Sequence, residues 1–190
     1  MEATSDQALV AALGRGDPVA FDQAYARYRG RLYAFLVRLT RRPFLAEDLL
    51  QDTWLSLARH AASLRPDTNL GAWLFTVARN RYRSYRRWAL LDADRLREVG
   101  LWPRETGSPF EDAAASETER RLEAALGALP LKYREALLLV GVEGLAPEGA
   151  AEVLGLRPEA LRQRLSRGRA LMRDRLAAPP VAVAVCGGAR

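Results

Sequence analysis

The stretch that decides the fold is APEGAAEVLGLRPEALRQRLSRGRALMRDRL, residues 146–176. Its apolar residues recur at helical spacing on both sides of a break at Gly155, Leu156 and Arg157. This pattern predicts two helices joined by a tight turn, as in a helix-turn-helix. Helical hairpins that bind no nucleic acid can show the same spacing, so the residues on the second helix have to be considered.

The second helix has one face that suits nucleic acid. Steps of 100° per residue from Leu161 place Leu165, Gly168 and Met172 on the face of Leu161. The opposite face and the flanks carry side chains that can bind base edges and phosphates: Arg162, Gln163, Arg164, Ser166 and Arg167. An arginine-rich second helix of this kind is typical of a recognition helix.

Helical periodicity extends over most of the remaining chain, and no segment alternates with period two, so we predict an all-α protein. Helices are expected at about residues 5–14, 18–40, 45–64 and 70–91. The segment GLWPRETGSP, residues 100–109, is typical of a linker. We therefore predict two small helical domains, 1–91 and 116–177, joined by an extended acidic linker, 92–115, and followed by a tail, 178–190.

A second basic segment is ARNRYRSYRRW, residues 78–88, with five arginines and three large aromatic residues. Arginines on a helix often form only a solvated face. They can also neutralise phosphates while aromatic rings stack on unpaired bases. Both interpretations remain open at this point.

Composition limits the possible functions. The 190 residues carry a net charge of +6. Residues 1–91 hold 14 Lys and Arg against 8 Asp and Glu, residues 92–129 hold 5 against 9, and residues 130–190 hold 10 against 6, so two basic parts flank an acidic middle. A single histidine, His60, and a single cysteine, Cys186, argue against zinc or thiol chemistry, and no cofactor is expected. The sequence shows no secretory signal and no apolar run long enough to span a membrane, so we expect a cytoplasmic protein without membrane insertion.

Five segments, taken together and in order, resemble bacterial sigma factors of the extracytoplasmic-function (ECF) type in the sigma-70 family. They are GDPVAFDQAYARYRGRLYAFL (16–36), AEDLLQDTWLSLARH (46–60), GAWLFTVARNRYRSYRR (71–87), ALPLKYREALLLVGVEGLAPEGAAEVLGL (128–156) and LRQRLSRGRALM (161–172). The resemblance implies a non-catalytic subunit that binds core RNA polymerase, at its clamp helices and flap, and promoter DNA. It also implies a possible anti-sigma factor, and association with the nucleoid when the chain is in holoenzyme.

The resemblance also implies roles for individual residues. The segment that docks on the clamp helices includes Asp48, Gln51, Asp52 and Trp54, although Trp54 also fits the apolar stripe of its helix. The resemblance implies that a base-capturing loop and a strand-opening helix bind the minus-10 element, through Asp67, Thr68, Asn69, Leu70, Arg79, Asn80, Arg83, Arg86 and Arg87. It implies that the minus-35 element is bound by Arg162, Gln163, Arg164, Ser166 and Arg167.

The chain departs from the family pattern at a few positions, and two other functions remain to be compared. Ala146 stands where a hydroxyl residue usually caps the first helix of the helix-turn-helix, and Gly149 and Gly168 lie inside helices. One alternative is a helix-turn-helix regulator that is not a polymerase subunit, but it leaves the basic segment 78–88 unexplained. The other is an enzyme acting on nucleic acid. Asp48 and Asp52 are one turn apart and could form a two-carboxylate site, but the single His60 and the lack of further acidic partners on that helix argue against it.

Overall fold

The computed structural model describes residues 5–98 and 116–177, with residues 91–98 described by their backbone only. Throughout these residues the secondary structure is helical and contains no strand, which confirms the predicted all-α fold. The helices are α1 (Asp6–Gly14), α2 (Pro18–Thr40), α3 (Pro43–His60), α4 (Leu70–Glu98), α5 (Glu117–Gly127), α6 (Leu131–Leu137), α7 (Pro147–Leu154) and α8 (Pro158–Ala177). A 3-10 turn, Ala61–Ser63, follows α3, and a π turn, Leu138–Val142, follows α6.

Helices α1 to α4 form the N-terminal module. Their starts are fixed by local side chains: Ser5 caps α1, Asp17 caps α2 ahead of Pro18, and the Asn69 carboxamide accepts a hydrogen bond from the Ala72 amide at 2.9 Å. The centre of the module is apolar, and Phe35 of α2 meets Phe75 of α4 edge-to-face at 5.4 Å. This packing holds α3 and α4 in a fixed relation to α2.

Helix α4 continues to Glu98, past residue 91, where the sequence predicts its end. The apolar periodicity weakens after Leu91, but the residues from Asp92 to Glu98 include good helix formers and no glycine or proline. The helix therefore continues without a clear buried stripe in its sequence. The part of the predicted linker from residue 99 to residue 115 lies outside the described residues, as does the predicted tail 178–190.

Helices α5 to α8 form the C-terminal module. Ser116 and Glu119 make a reciprocal capping box at the start of α5. Gly155 adopts a left-handed conformation, φ +64°, and makes the tight turn between α7 and α8. Helix α8 passes close to α6, and a Cβ at Gly168 would lie 3.1 Å from the Leu137 Cδ1 atom. The interior glycine thus permits the close crossing of these two helices.

One non-glycine residue of the described chain, Arg41, has a positive φ, 59°, where it ends α2. Its amide donates to the Val37 carbonyl at 2.8 Å, which is the usual bond of a left-handed helix end. The Arg41 side chain lies against Gly127 of α5, where an added Cβ would come within 3.0 Å of the guanidinium carbon. Arg41 therefore joins the end of α2 to the C-terminal module.

The two modules pack against each other. Helix α4 lies on α7, and α2 contacts α5, α6 and the π turn. The sequence predicts the modules but not this packing, because nothing in the local periodicity reports on contacts between distant segments. None of the described helices is both long enough and apolar enough to cross a lipid bilayer.

Candidate polymerase and promoter interfaces

The exposed side of α3 carries an acidic and amide surface. Asp48, Gln51 and Asp52 are all exposed, and Leu55 lies beside them with half of its surface in solvent. The opposite side of α3 is buried through residues such as Leu49 and Leu57, because apolar residues recur there every three or four positions. The polar side chains are therefore left over for a partner after the core has formed.

Trp54 lies at the bottom of a groove of about 800 Å³ between α2 and α3. It is buried and packs against Phe21 at 5.9 Å and Tyr25 at 4.9 Å between ring centroids. Its indole Nε1 is buried and has no hydrogen-bond partner. Among the four residues predicted to dock on polymerase, Trp54 therefore belongs to the core and the groove wall, whereas the other three are surface residues.

The loop before α4 is built by short-range contacts. Arg65 and Asp67 form an exposed ion pair at 3.0 Å, and the Thr68 amide donates to the Arg65 carbonyl at 2.9 Å. Asn69 is exposed while it caps α4. Leu70 is fully buried, so its side chain anchors the loop and offers no surface to a base. Asp67, Thr68 and Asn69 remain at or near the surface.

The arginines of α4 do not share one environment. Arg83, Arg86 and Arg87 are exposed, as the nucleic-acid interpretation requires. Arg79, one turn earlier, is buried against the C-terminal module. The exposed Asn80 lies with Trp73 and Arg81 in a shallow pocket between α3 and α4, where Arg81 donates to the Ser56 hydroxyl at 2.8 Å. Tyr82 is buried and Trp73 partly buried, which makes both of them packing residues of α4.

The predicted recognition helix α8 presents the expected polar surface. Leu161, Leu165 and Gly168 are buried, and Met172 is partly buried against the core. Gln163, Ser166 and Arg167 are exposed, Arg162 forms an exposed pair with Glu159 at 2.9 Å, and Arg164 is half-buried. As the sequence predicts, Ala146 precedes α7 without a side-chain cap. The orientation of α8 thus agrees with the helical-wheel prediction.

Three arginine–glutamate pairs cross the boundary between the modules, and none of them is among the features predicted from the sequence. Their Nε-to-carboxylate distances are 2.7 Å for Arg38–Glu123, 3.1 Å for Arg79–Glu135 and 3.5 Å for Arg31–Glu143. One signal was present in the sequence: Glu135 interrupts the apolar stripe of α6 between Leu131 and Leu138. A charged residue on an apolar stripe predicts a buried partner of opposite charge.

The Glu143 carboxyl is buried, and this burial raises its pKa, against the opposing effect of Arg31 and Arg38. Burial likewise lowers the pKa of Arg79, opposed by Glu135 and reinforced by repulsion from Arg83 and Arg164. Among the described residues, no group of three or more His, Cys, Asp or Glu side chains is arranged to hold a metal ion.

Comparison with known proteins gives a consistent result. Residues 24–89 match the family model of sigma-70 region 2, and residues 119–172 match that of sigma-70 region 4. The chain is 37% identical to the RNA polymerase sigma factor CarQ of Myxococcus xanthus, over 83% of this chain and 89% of that protein. It is 35% identical to the ECF sigma factor SigM of Mycobacterium tuberculosis, over 87% of this chain and 82% of that protein.

Among solved structures, the fold resembles the sigma factor RpoE of Bartonella quintana in complex with the anti-sigma factor NepR. The TM-score is 0.72 at 28% identity, over 82% of this chain and 96% of that one. The two family-model matches lie within the two helical modules, the first starting inside α2, and the predicted resemblance is confirmed. The chain belongs to the ECF subfamily of the sigma-70 family, whose members direct promoter-specific transcription by RNA polymerase.

Proposed function

We propose that this sigma factor divides its work among three surfaces: the acidic face of α3 for core polymerase, the loop 65–70 with α4 for the minus-10 element, and α8 for the minus-35 element. The observation that supports this division is the separation of charge. Asp48 and Asp52 are exposed on α3, whereas the exposed polar residues of α4 and α8 are mainly arginines. An acidic face suits a basic protein partner, and arginine faces suit DNA.

The minus-10 role rests on α4 and its preceding loop. Arg83, Arg86 and Arg87 lie at spacings that place them on one side of the helix, where they can follow a phosphate backbone. The shallow pocket lined by Asn80 and Trp73 offers the exposed Asn80 amide next to this row. Together they supply charge neutralisation and polar contacts to an unpaired strand.

The minus-35 role rests on the outward side of α8. Gln163 and Arg167 are exposed one turn apart, and both side chains can make two hydrogen bonds to a base edge in the major groove. Arg162, Arg164 and Ser166 flank them and are assigned to the backbone and adjacent bases. A helix-turn-helix that carried only this activity would not explain the acidic face of α3.

We also infer that an anti-sigma factor binds the chain, because the similar RpoE structure contains one. No catalytic activity is proposed, since sigma factors are regulatory subunits. We propose that the protein acts on polymerase in the cytoplasm and is associated with the nucleoid when it is in holoenzyme.

The experiment addresses the polymerase contact. The double variant Asp48→Arg and Asp52→Arg should lose co-elution with core RNA polymerase, because two charge reversals at the centre of the contact replace attraction with repulsion. Helical content by circular dichroism should stay at the wild-type level, since both side chains are exposed. The readouts are gel filtration with core enzyme and promoter-dependent transcription.

The matched control is Asp22→Arg with Asp174→Arg, which makes the same change in net charge at exposed positions outside α3. This control should still co-elute with core enzyme and support transcription. Co-elution of the Asp48 and Asp52 double variant at the wild-type level would exclude α3 as the main polymerase contact.

A further inference from the structure

The Arg79–Glu135 pair is the most deeply buried ionic contact between the modules. The two side chains are 6% and 3% exposed, and the Arg79 Nε lies 3.1 Å from the Glu135 Oε1. A second guanidinium nitrogen, Nη1, donates to the Val153 carbonyl of α7 at 3.1 Å. Arg79 of the N-terminal module is therefore inserted between α6 and α7 of the C-terminal module.

The two side chains are held together mainly by ionic attraction and less by hydrogen bonds of good geometry. Neither the Arg79 Nε nor the Glu135 Oε1 has a hydrogen bond of good geometry, although the two atoms attract each other as ions. Buried ion pairs add little net stability, but a buried charge that loses its partner is strongly unfavourable. The pair can therefore hold the modules together while both members are present, and it fails when either is neutralised.

The two other ion pairs at the boundary have the same polarity. Arg31 and Arg38 of α2 face Glu143 and Glu123 of the C-terminal module. In each pair the arginine belongs to the N-terminal module and the glutamate to the C-terminal one. The boundary is not tightly filled, because a cavity of about 480 Å³ lies between the modules next to Asn69. The ion pairs therefore lie beside apolar contacts, because the buried apolar residues of the two modules belong to one cluster.

The packed arrangement hides part of the proposed DNA surface. Arg79 is the first member of a row that continues with Arg83, Arg86 and Arg87 at helical spacing, and it is the one that is covered. On the other module, Arg164 of the recognition helix is half-buried and close enough to Arg79 to oppose its charge. The closed form thus brings α4 and α8, the two proposed DNA-binding helices, close together. It also places the positive charges of Arg79 and Arg164 near each other, where they repel.

We propose that the Arg79–Glu135 ion pair holds the free chain in a closed form that binds DNA poorly, and that a DNA phosphate replaces the Glu135 carboxylate when the modules separate. The closed form follows from the boundary contacts themselves, whereas the identity of the replacing anion rests on the proposed function of α4. Glu135 lies outside both proposed DNA surfaces and outside the polymerase face.

The test uses the full chain, with wild type compared with Glu135→Gln and Asp174→Asn. Each variant removes one negative charge from the C-terminal module, but Asp174 is exposed on α8 and away from the boundary pairs. Small-angle X-ray scattering measures the radius of gyration, and fluorescence anisotropy measures binding of a mixed-sequence single-stranded oligodeoxynucleotide. Circular dichroism verifies that each variant keeps its helices.

Glu135→Gln should increase the radius of gyration and tighten oligodeoxynucleotide binding by about 10- to 100-fold, the factor expected if only 1–10% of the wild-type chain is open. Asp174→Asn should change neither quantity appreciably. The swap Arg79→Glu with Glu135→Arg restores a buried pair of opposite charges, so it should restore the wild-type radius of gyration. Its DNA binding should stay weak because position 79 is then acidic.

A wild-type radius of gyration for Glu135→Gln would overturn the closed form, and so would a swap variant as expanded as Glu135→Gln. Expansion of Glu135→Gln without tighter DNA binding would overturn the replacement by phosphate. Promoter-dependent transcription by wild-type protein with core polymerase is measured in parallel. Its absence would refute the proposed function, while the scattering result alone decides the closed form.

Discussion

Glu143 shows how a single buried carboxyl makes stability depend on pH. Burial raises its pKa, so the folded chain binds this proton more tightly than the unfolded chain does. Its contribution to stability is therefore largest at pH values below the ordinary pKa of glutamate. The contribution falls as the pH rises through the raised pKa, because the folded state then has to carry a buried negative charge.

We expect this dependence to disappear in Glu143→Gln. Urea unfolding at a series of pH values should show the wild-type free energy of unfolding decreasing, relative to that of the variant, from mildly acidic to neutral pH. The difference between the two proteins isolates Glu143, because carboxyls with lowered pKa values, such as Glu119, act with the opposite sign in both. A difference that stays constant across this range would show that Glu143 does not titrate there.

The recognition residues of α8 give a second prediction for individual side chains. Alanine at Gln163 or Arg167 should weaken binding to preferred minus-35 sequences by about 1–3 kcal/mol and reduce discrimination among them. Alanine at Arg173, which is exposed later on the same helix, should weaken binding to all sequences alike. Binding of holoenzyme to a panel of promoter variants measures both effects. Uniform losses at Gln163 and Arg167 would assign them to phosphates.

At the level of helices, two interior glycines should respond differently to alanine. A Cβ at Gly149 of α7 would meet no atom within 4 Å, whereas a Cβ at Gly168 of α8 would press on Leu137. Gly149→Ala should therefore raise the free energy of unfolding by about 1 kcal/mol through helix propensity alone. Gly168→Ala should gain less or lose stability, since Leu137 has to move. Chemical denaturation measures both, and equal gains would contradict the close crossing of α6 and α8.

Local signals explain why the helices could be predicted from the sequence. Ser5, Asp17 and Pro18 fix helix starts within a few residues, and α2 has the predicted limits. The capping box of Ser116 and Glu119 was an equally local signal that the sequence analysis overlooked. The end of α4 was misplaced because its last residues favour helix without a buried stripe. Each of these features depends on neighbours in the sequence.

The candidate surfaces could be predicted only in part, because burial depends on distant segments. Gln163 and Arg167 are predicted to face outward by helical spacing, and Asp48 and Asp52 are predicted to face a partner by the family resemblance. The structure places all four in solvent. Arg79 shares the spacing of Arg83 and was assigned to the same surface. Its burial arises from α6 and α7, which are distant in sequence, so periodicity on α4 could not reveal it.

For the whole molecule, the packing of the modules predicts how the chain unfolds. Ionic contacts and the packing of α4 on α7 couple the modules, so the wild-type chain should unfold in a single calorimetric transition. Glu135→Gln should separate this into two transitions. The C-terminal module should melt first, lower by about 4–8 °C for each 1 kcal/mol of coupling lost. Two transitions in the wild-type chain would show that the modules are uncoupled.

Chain length limits how far the modules can separate on DNA. Promoter elements about 17 base pairs apart lie roughly 58 Å from each other on B-form DNA. The 17 residues from 99 to 115 can span at most about 60 Å when fully extended. The continuation of α4 to Glu98 removes residues from the linker that the sequence predicted. The linker can therefore cover this distance only when it is almost fully extended.

Arg41 carries a conflict that bears on how such chains evolve. Its left-handed backbone strains the end of α2 by about 1–2 kcal/mol, while its side chain packs on Gly127 across the module boundary. Glycine at this position would relieve the strain and remove the contact. In a lineage adapting to heat, this substitution would thus stabilise the N-terminal module. The same substitution would weaken the contact between the two modules in the free sigma factor. At this residue the stability of the N-terminal module therefore competes with the contact between the modules. Heat-adapted relatives that keep arginine here would indicate selection for that contact.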